Sequence, residues 1–284
     1  MPTLEIFKTK SALKAFLKPL KASGKKVALV PTMGALHNGH ISLIRLAQEN
    51  ADIIICSIFV NPTQFTDPKD LEKYPRPIEH DLAMLEDAGC HGVFMPGVKE
   101  MYPYGADENW YVNLGNAEFL LEGEFRKGHY QGVTQIVKKL FDAVEPDIAM
   151  FGQKDFQQVL MIKKMLTQFN LSISIITCPI IREADGLAMS SRNIHLSATD
   201  RQHALVLSKS LQFVVDHFDE YSLRELEEKA MSFYKNIDGV ELDYLTIANG
   251  DTLKPAQSKE ENNLVVLVAA KVGSTRLIDN MIIK

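Results

Sequence analysis

The chain has 284 residues, 46% of them hydrophobic and 24% charged, with a formal net charge of −5. That length fits one large domain or two smaller ones, enough to bury roughly three quarters of the surface the unfolded chain exposes. The composition excludes wholesale disorder and fibrous repeats, and 31 basic against 36 acidic residues argue against a nucleic-acid partner while allowing a local basic site.

The first twenty residues lack the continuous apolar segment and cleavage site of a secretory signal. No run reaches the ~18 apolar residues of a membrane span, so a cytoplasmic protein with no membrane partner is expected. Lys21, Lys25 and Lys26 read as a solvated basic face. Segment 26–31 (KVALVP) is predicted as a buried strand, 42–49 as the body of a helix, and 52–60 (DIIICSIFV) as a second buried strand holding Cys56 as a free thiol. Segment 61–77 (NPTQFTDPKDLEKYPRP) has four prolines in seventeen residues and reads as a lid or binding loop. A helix over 82–88 and a short strand over 92–95 follow, then a helix over 132–144, a strand over 146–151, a helix over 155–169 and a β-rich run over 172–177. Strand–helix–strand order with near-continuous apolar strands predicts a parallel sheet covered on both faces.

The last third differs in character. Helical segments over 199–218 and 223–236 precede β-branched runs over 241–248, 264–272 and 275–283, with Gly273-Ser274 as the turn between the last two. This predicts an α+β unit with an antiparallel sheet and a boundary near Pro179. Cys56, Cys90 and Cys178 are widely spaced with no CxxC pair, which disfavours both a disulfide framework and a zinc ribbon.

The segment richest in chemistry is PTMGALHNGH, residues 31–40, between the first buried strand and a helix. Gly34 and Gly39 let the backbone turn tightly and approach a ligand, and a helix starting near Gly39 offers free N–H groups to phosphate. His37 and His40, three apart, share one side of the helix start and suit a polyphosphate attacked at its α-phosphorus; they could equally cap the loop. The string is neither GxxxxGK[ST] nor GxGxxG, and without HExxH or a nearby third ligand a zinc site is disfavoured. HxGH after a strand resembles the nucleotide-binding signature of class I aminoacyl-tRNA synthetases and related nucleotidyltransferases. A nucleotidyltransferase acting on a phosphorylated acceptor, or a non-catalytic nucleotide sensor, also fits HxGH alone.

The wider string is more specific. PTMGALHNGH, FVNPTQF (59–65), YPR (74–76), VFMPGVKEMYP (93–103), FGQKDFQQ (151–158) and GLAMSSRN (186–193) occur in that order and together resemble the pantoate–β-alanine ligase (pantothenate synthetase) family. The resemblance implies a Rossmann-like nucleotide- and pantoate-binding domain over 1–178 and a smaller α+β domain over 179–284 covering the site. It implies ATP-dependent condensation of pantoate with β-alanine through a pantoyl adenylate, with Mg²⁺ carried largely on the phosphates, its protein ligands unassigned, and a homodimer. It makes His40 the catalytic histidine. It gives ATP to Met33, Gly34, His37, Gly39, His40, Gly152, Gln153, Lys154, Asp155, Ile181, Met189, Ser190, Ser191 and Arg192. Gln64 and Gln158 take pantoate, and Gln64 also takes β-alanine. Asp155 could instead cap the helix behind it. Arg126, in GEFRKGHYQGV, is a further anion candidate. The family more often has Glu or Lys at Gln153 and Pro at Lys127.

Overall fold

The structure, a computed structural model, describes residues 3–65 and 68–284; Thr66 and Asp67 of the 61–77 loop lie outside the described residues. Short apolar segments form a parallel sheet: β1 (Glu5–Phe7), β2 (Val27–Thr32), β3 (Ile53–Ile58), β4 (Gly92–Phe94), β5 (Ile148–Gly152) and β6 (Ser174–Cys178), in the order β1-β4-β3-β2-β5-β6. Helices α1 (Lys10–Ala22), α2 (Asn38–Gln48), α3 (Pro68–Lys73), α4 (Ile78–Asp87), α5 (Val98–Met101), α6 (Glu122–Phe125), α7 (His129–Val144) and α8 (Phe156–Gln168) accompany it.

Alternation along the central strands divides the core. Val27, Leu29, Ile53 and Ile55 pack with Leu13 and Leu17 of α1, Leu140 of α7 and Met161 of α8. Ala28, Val30, Ile54 and Cys56 pack with Ile44 and Ala47 of α2 and Leu85 of α4. Because successive side chains of a strand point to opposite faces, a run with no polar member is what a sheet buried on both sides demands. All three cysteines are buried free thiols in the second layer.

The C-terminal segment builds a separate antiparallel sheet, β7 (Val240–Asn249), β8 (Leu264–Val272) and β9 (Thr275–Ile282), in that order. Helices α9 (Ala198–Asp216) and α10 (Leu223–Ser232) lay Leu207, Leu211 and Leu226 on Leu245, Ile247 and Val268. Arg276 of β9 reaches back to the buried Glu122 of α6 with two hydrogen bonds of 2.6 and 2.8 Å, and Tyr244 donates to the same carboxylate. Partnered on several sides, this carboxylate ties the two sheets together at their seam.

Three differences from the sequence expectation have physical causes. Residues before 26 form β1 and α1, which apolar spacing does not predict because α1 is lysine-rich and fully buries only Leu13 and Leu17. Lys21 is therefore not a simple solvated residue: its ammonium donates to the carbonyls of Val144 and Glu145 at the end of α7, and burial lowers its pKa. Helices α4 and α7 begin three or four residues earlier than the apolar pattern, since their first turns are polar, while α2 starts at Asn38, next to the start expected near Gly39. The 61–77 stretch is partly ordered into a 3-10 turn, Pro62–Gln64, and α3, each opening on a proline where the missing N–H costs nothing.

Gly132 fixes how that 3-10 turn sits on α7. A Cβ there would lie 2.3 Å from the carbonyl oxygen of Thr63 and 3.0 Å from Cα of Gln64. On helix propensity alone Gly132→Ala would stabilise α7 by about 1 kcal/mol. The clash reverses the sign: chemical denaturation should show a loss of about 1–3 kcal/mol, and a gain would show that the turn moves freely away from the helix.

Candidate active site

Strand β2 has β3 on one side and β5 on the other: after β2 the chain builds outward through β3 and β4, then crosses back to lay β5 and β6 on the other side. In an open α/β sheet the crevice outside the carboxyl ends at such a switch point is where ligands bind. Four segments leaving strand ends line one cleft here: 33–40 after β2, 59–65 after β3, 153–155 after β5 and 179–192 after β6.

The histidine segment is shaped by its own hydrogen bonds. His37 is the N-cap of α2: its Nδ1 accepts the Gly39 N–H at 3.1 Å, and its own N–H donates to Nδ1 of His40 at 3.3 Å. A capping box is thus made of two imidazoles, so the capping alternative is realised while both rings also line the cleft. A Cβ on Gly39 would sit 2.8 Å from the His37 ring, so glycine is required for that ring to fold back. Since both Nδ1 atoms accept, the neutral rings carry their protons on Nε2. Burial, with the Lys154 charge second, pushes His37 down to about 4; burial, with His37 second, pushes His40 down to about 3. At neutral pH both are uncharged N–H donors.

Gly34 is the one sequence-predicted site residue that does not line the cleft. With φ of +80° it makes the turn behind it, close against the buried Asp81 of α4. The Asp81 carboxylate accepts the N–H groups of Ala35 and Leu36 at 2.8 and 2.7 Å and so tethers the loop from below. Burial raises its pKa, and those two donors oppose the rise.

Gln64 is buried, not an exposed loop residue. Its Oε1 accepts from Asn61 Nδ2 at 3.1 Å, its Nε2 donates to the sulfur of Met33, and Tyr102 donates to Asn61 Oδ1 at 2.8 Å. Below it, His129 donates Nδ1–H to the Gln64 carbonyl at 2.8 Å, which leaves Nε2 as the ring's acceptor. Burial, then the Arg126 charge, pushes His129 down to about 4.

Positive charge enters from three places. Lys154 follows β5, Arg192 follows β6, and Arg126 precedes α7; all line the cleft. Burial and then Arg192 depress the Arg126 pKa, so this wall favours an anion between the guanidiniums. Asp155 occupies the N-cap position of α8 but makes no side-chain cap, leaving its carboxylate to the cleft. Met189 and Ile181 are joined by an N–H to carbonyl bond of 3.0 Å, with Arg182 and Ala188 paired as a bridge and Gly186 turning at φ +94°. Ser190 then caps the 3-10 turn that carries Ser191 and Arg192. Gly152, Gln153 and Gln158 complete the set.

Sequence reasoning did not single out Tyr74, His129 or the apolar wall from α7, formed by Val133, Ile136, Val137 and Leu140. The wall has the helical spacing already assigned to the core. Tyr74 lies inside the YPR motif, where burial raises its phenol and the Ser191 hydroxyl beside it opposes the rise.

Comparison with known proteins identifies the family. The sequence model of the pantoate-beta-alanine ligase family matches residues 5–282. The chain belongs to the pantoate–β-alanine ligase family. It is 46% identical over 283 residues to the pantothenate synthetase of Acetivibrio thermocellus, covering 99% of this chain and 100% of that one. It is 45% identical to the pantothenate synthetase of Koribacter versatilis, covering 99% and 96%. A crystal structure of pantothenate synthetase from Thermus thermophilus superposes with a TM-score of 0.92 at 36% identity over 99% of both chains. Another, of the Francisella tularensis ligase complexed with β-γ ATP and β-alanine, gives 0.79 at 34% identity, covering 98% and 97%. As a pantoate–β-alanine ligase the protein is an ATP-dependent enzyme that forms a carbon–nitrogen bond. Among the described residues no helix is long and apolar enough to cross a membrane.

The buried imidazoles make stability depend on pH. His37, His40 and His129 stay neutral in the folded protein down to about 4, 3 and 4, whereas the unfolded chain protonates near 6.5. The unfolded state therefore binds more protons below 6.5, and stability, full above that pH, falls as the solution is acidified towards 4. Urea denaturation at stepped pH should show this slope. His129→Asn, which keeps a donor for Gln64, should reduce it by up to about 1.4 kcal/mol per pH unit; an unchanged slope would mean His129 titrates normally.

Proposed function

We propose that the ligase works through a pantoyl adenylate made and consumed in this cleft, and that the sequence-predicted residues divide the work. Two neutral Nε2–H donors, a lysine, two guanidiniums and a buried amide lining one cleft are the observation that carries the proposal. The pantoate carboxylate attacks the α-phosphorus of ATP, and pyrophosphate leaves. The β-alanine amine then attacks the acyl carbon of the mixed anhydride, and AMP leaves as pantothenate forms.

His40, with His37, donates a hydrogen bond to the α-phosphoryl oxygens as negative charge builds there. At pKa values of about 3 and 4 these imidazoles act as hydrogen-bond donors and not as proton donors in the free enzyme. Lys154, Ser190, Ser191 and Arg192 hold the triphosphate, with Arg126 a further anion contact. Met33, Gly39, Gly152, Ile181 and Met189 contact the nucleotide, while Gly34 contributes through the turn. Gln64 and Gln158 hold pantoate; Gln64, able to donate and accept, also meets β-alanine. The Gln153 side chain is occupied by Asn280, so its share is structural.

Among the described residues no three His, Cys, Asp or Glu side chains group into a metal cage, which fits a Mg²⁺ that arrives on the phosphates. Asp155, the carboxylate in the cleft lining, is the residue able to meet that ion. Bound there, Mg²⁺ supplies charge neutralisation to the phosphates. The division into domains 1–178 and 179–284, homodimer assembly and a cytoplasmic location complete the proposal, on the strength of the family resemblance.

Exchange of labelled pyrophosphate into ATP tests the adenylate. Exchange should require pantoate and Mg²⁺ and proceed without β-alanine; exchange independent of pantoate would reject it. His40→Ala should slow exchange by about 100- to 1000-fold with the melting temperature nearly kept, the scale of losing one oxyanion donor. Gln64→Ala should raise the pantoate KM and leave ATP binding largely intact, as read by calorimetry. Loss of ATP binding would mean the loop serves the nucleotide instead.

A further inference from the structure

Strand β9 belongs to the C-terminal sheet, yet its side chains hold the loops of the nucleotide end. It is an edge strand, paired only to β8. Its alternation divides the labour: Leu277 and Asp279 face the C-terminal side, while Arg276 and Asn280 face the first sheet. Asn280 is 2% exposed and uses its whole amide on a single turn. Its Nδ2 donates to the carbonyls of Gln153 and Lys154 at 3.1 and 3.0 Å, and its Oδ1 accepts from Gln153 Nε2 at 3.1 Å. The adjacent Asp279 accepts two bonds from Arg182, of 2.7 and 3.0 Å, at the base of the segment that presents Ser190 and Arg192. Neighbouring residues of one strand thus grip the two phosphate-facing segments from between.

We infer that Asn280 is a positioning residue for the adenylate-forming step: from the other sheet, it fixes the turn that aims Lys154 into the cleft. This rests on the role given to Lys154 above. Lys154 sits on a three-residue 3-10 turn whose N-cap, Gly152, makes no side-chain cap bond, so little within the turn itself sets its backbone. Asparagine is the side chain of this size that can donate twice and accept once. Aspartate keeps the shape and loses both donors; leucine keeps the bulk and loses all three bonds. A displacement near 1 Å of a positioned charge costs on the order of a hundredfold in rate.

The test is a double-mutant cycle on the intact enzyme, read by pantoate-dependent pyrophosphate exchange. Asn280→Ala and the isosteric Asn280→Asp should each lower kcat for exchange about 10- to 100-fold, with the pantoate KM unchanged. In a Lys154→Ala background Asn280→Ala should cost less than about twofold more, because its effect passes through the residue already removed. Should Asn280→Ala fail to fold, Asn280→Asp takes its place in the cycle. Losses that multiply, an Asn280→Asp enzyme with wild-type exchange, or a rise in pantoate KM in place of the fall in kcat would each overturn the positioning role. Lys154→Ala with unimpaired exchange would instead remove the role of Lys154 itself, a separate and distinguishable failure.

Discussion

The site depends on the sheet being built outward from β2 in two directions. Once β3 lies on one side and β5 on the other, the segments after these strands have to diverge, and a crevice opens between them. Everything chemical is hung on that crevice. The histidine segment must turn back at Gly34 because β2 ends in the sheet's centre, and Asp81 must take the two N–H groups the turn exposes, since buried donors left unpaired are costly. Gly132 must lack a side chain because the segment after β3 has to lie flat on α7 for Gln64 to reach the same crevice.

Electrostatics inside the crevice follow from burial. A polyanion is bound by a protein of net charge −5 because its positive groups are few and local. Neutral imidazoles are the consistent choice beside Lys154: protonated rings with centroids 4.1 Å apart would repel one another and the lysine before any ligand arrived. Their Nε2–H groups add directionality with no fixed charge to desolvate. The guanidiniums of Arg126 and Arg192 are the reverse case, like charges held near one another, an arrangement that favours an anion between them.

Legibility in the sequence followed the range of each interaction. The parallel sheet was readable because its strands, DIIICSIFV above all, are apolar on both faces. The antiparallel unit was readable from β-branched runs flanking Gly273. The cleft was readable as six ordered strings, and fourteen of the fifteen residues drawn from them line it, as does Ile181, Gly34 being the exception that shapes the loop from behind. What stayed hidden was tertiary. Lys21 looks like any solvated lysine until α1 brings it to the end of α7. His129 sits where the apolar spacing of its helix has not begun, and Asp81 is one acid among several in a polar turn.

Asn280 shows the limit most clearly. It stands in a β-branched run, RLIDNMII, whose pattern marks a strand and nothing more. Its meaning comes from a strand edge meeting a turn 126 residues earlier, a distance no local period encodes. The same contact bears on how the C-terminal sheet takes part in catalysis. A cover that only shielded the adenylate from water would need apolar surface and shape, and could tolerate loose docking. Arg276 on Glu122, Asn280 on the Lys154 turn and Asp279 on Arg182 are instead directional bonds, each with a buried partner. Such bonds are strong only in one geometry. The C-terminal sheet is therefore fixed to the Lys154 turn and to Arg182 in one geometry, so that its docking and the setting of those two segments are a single constraint.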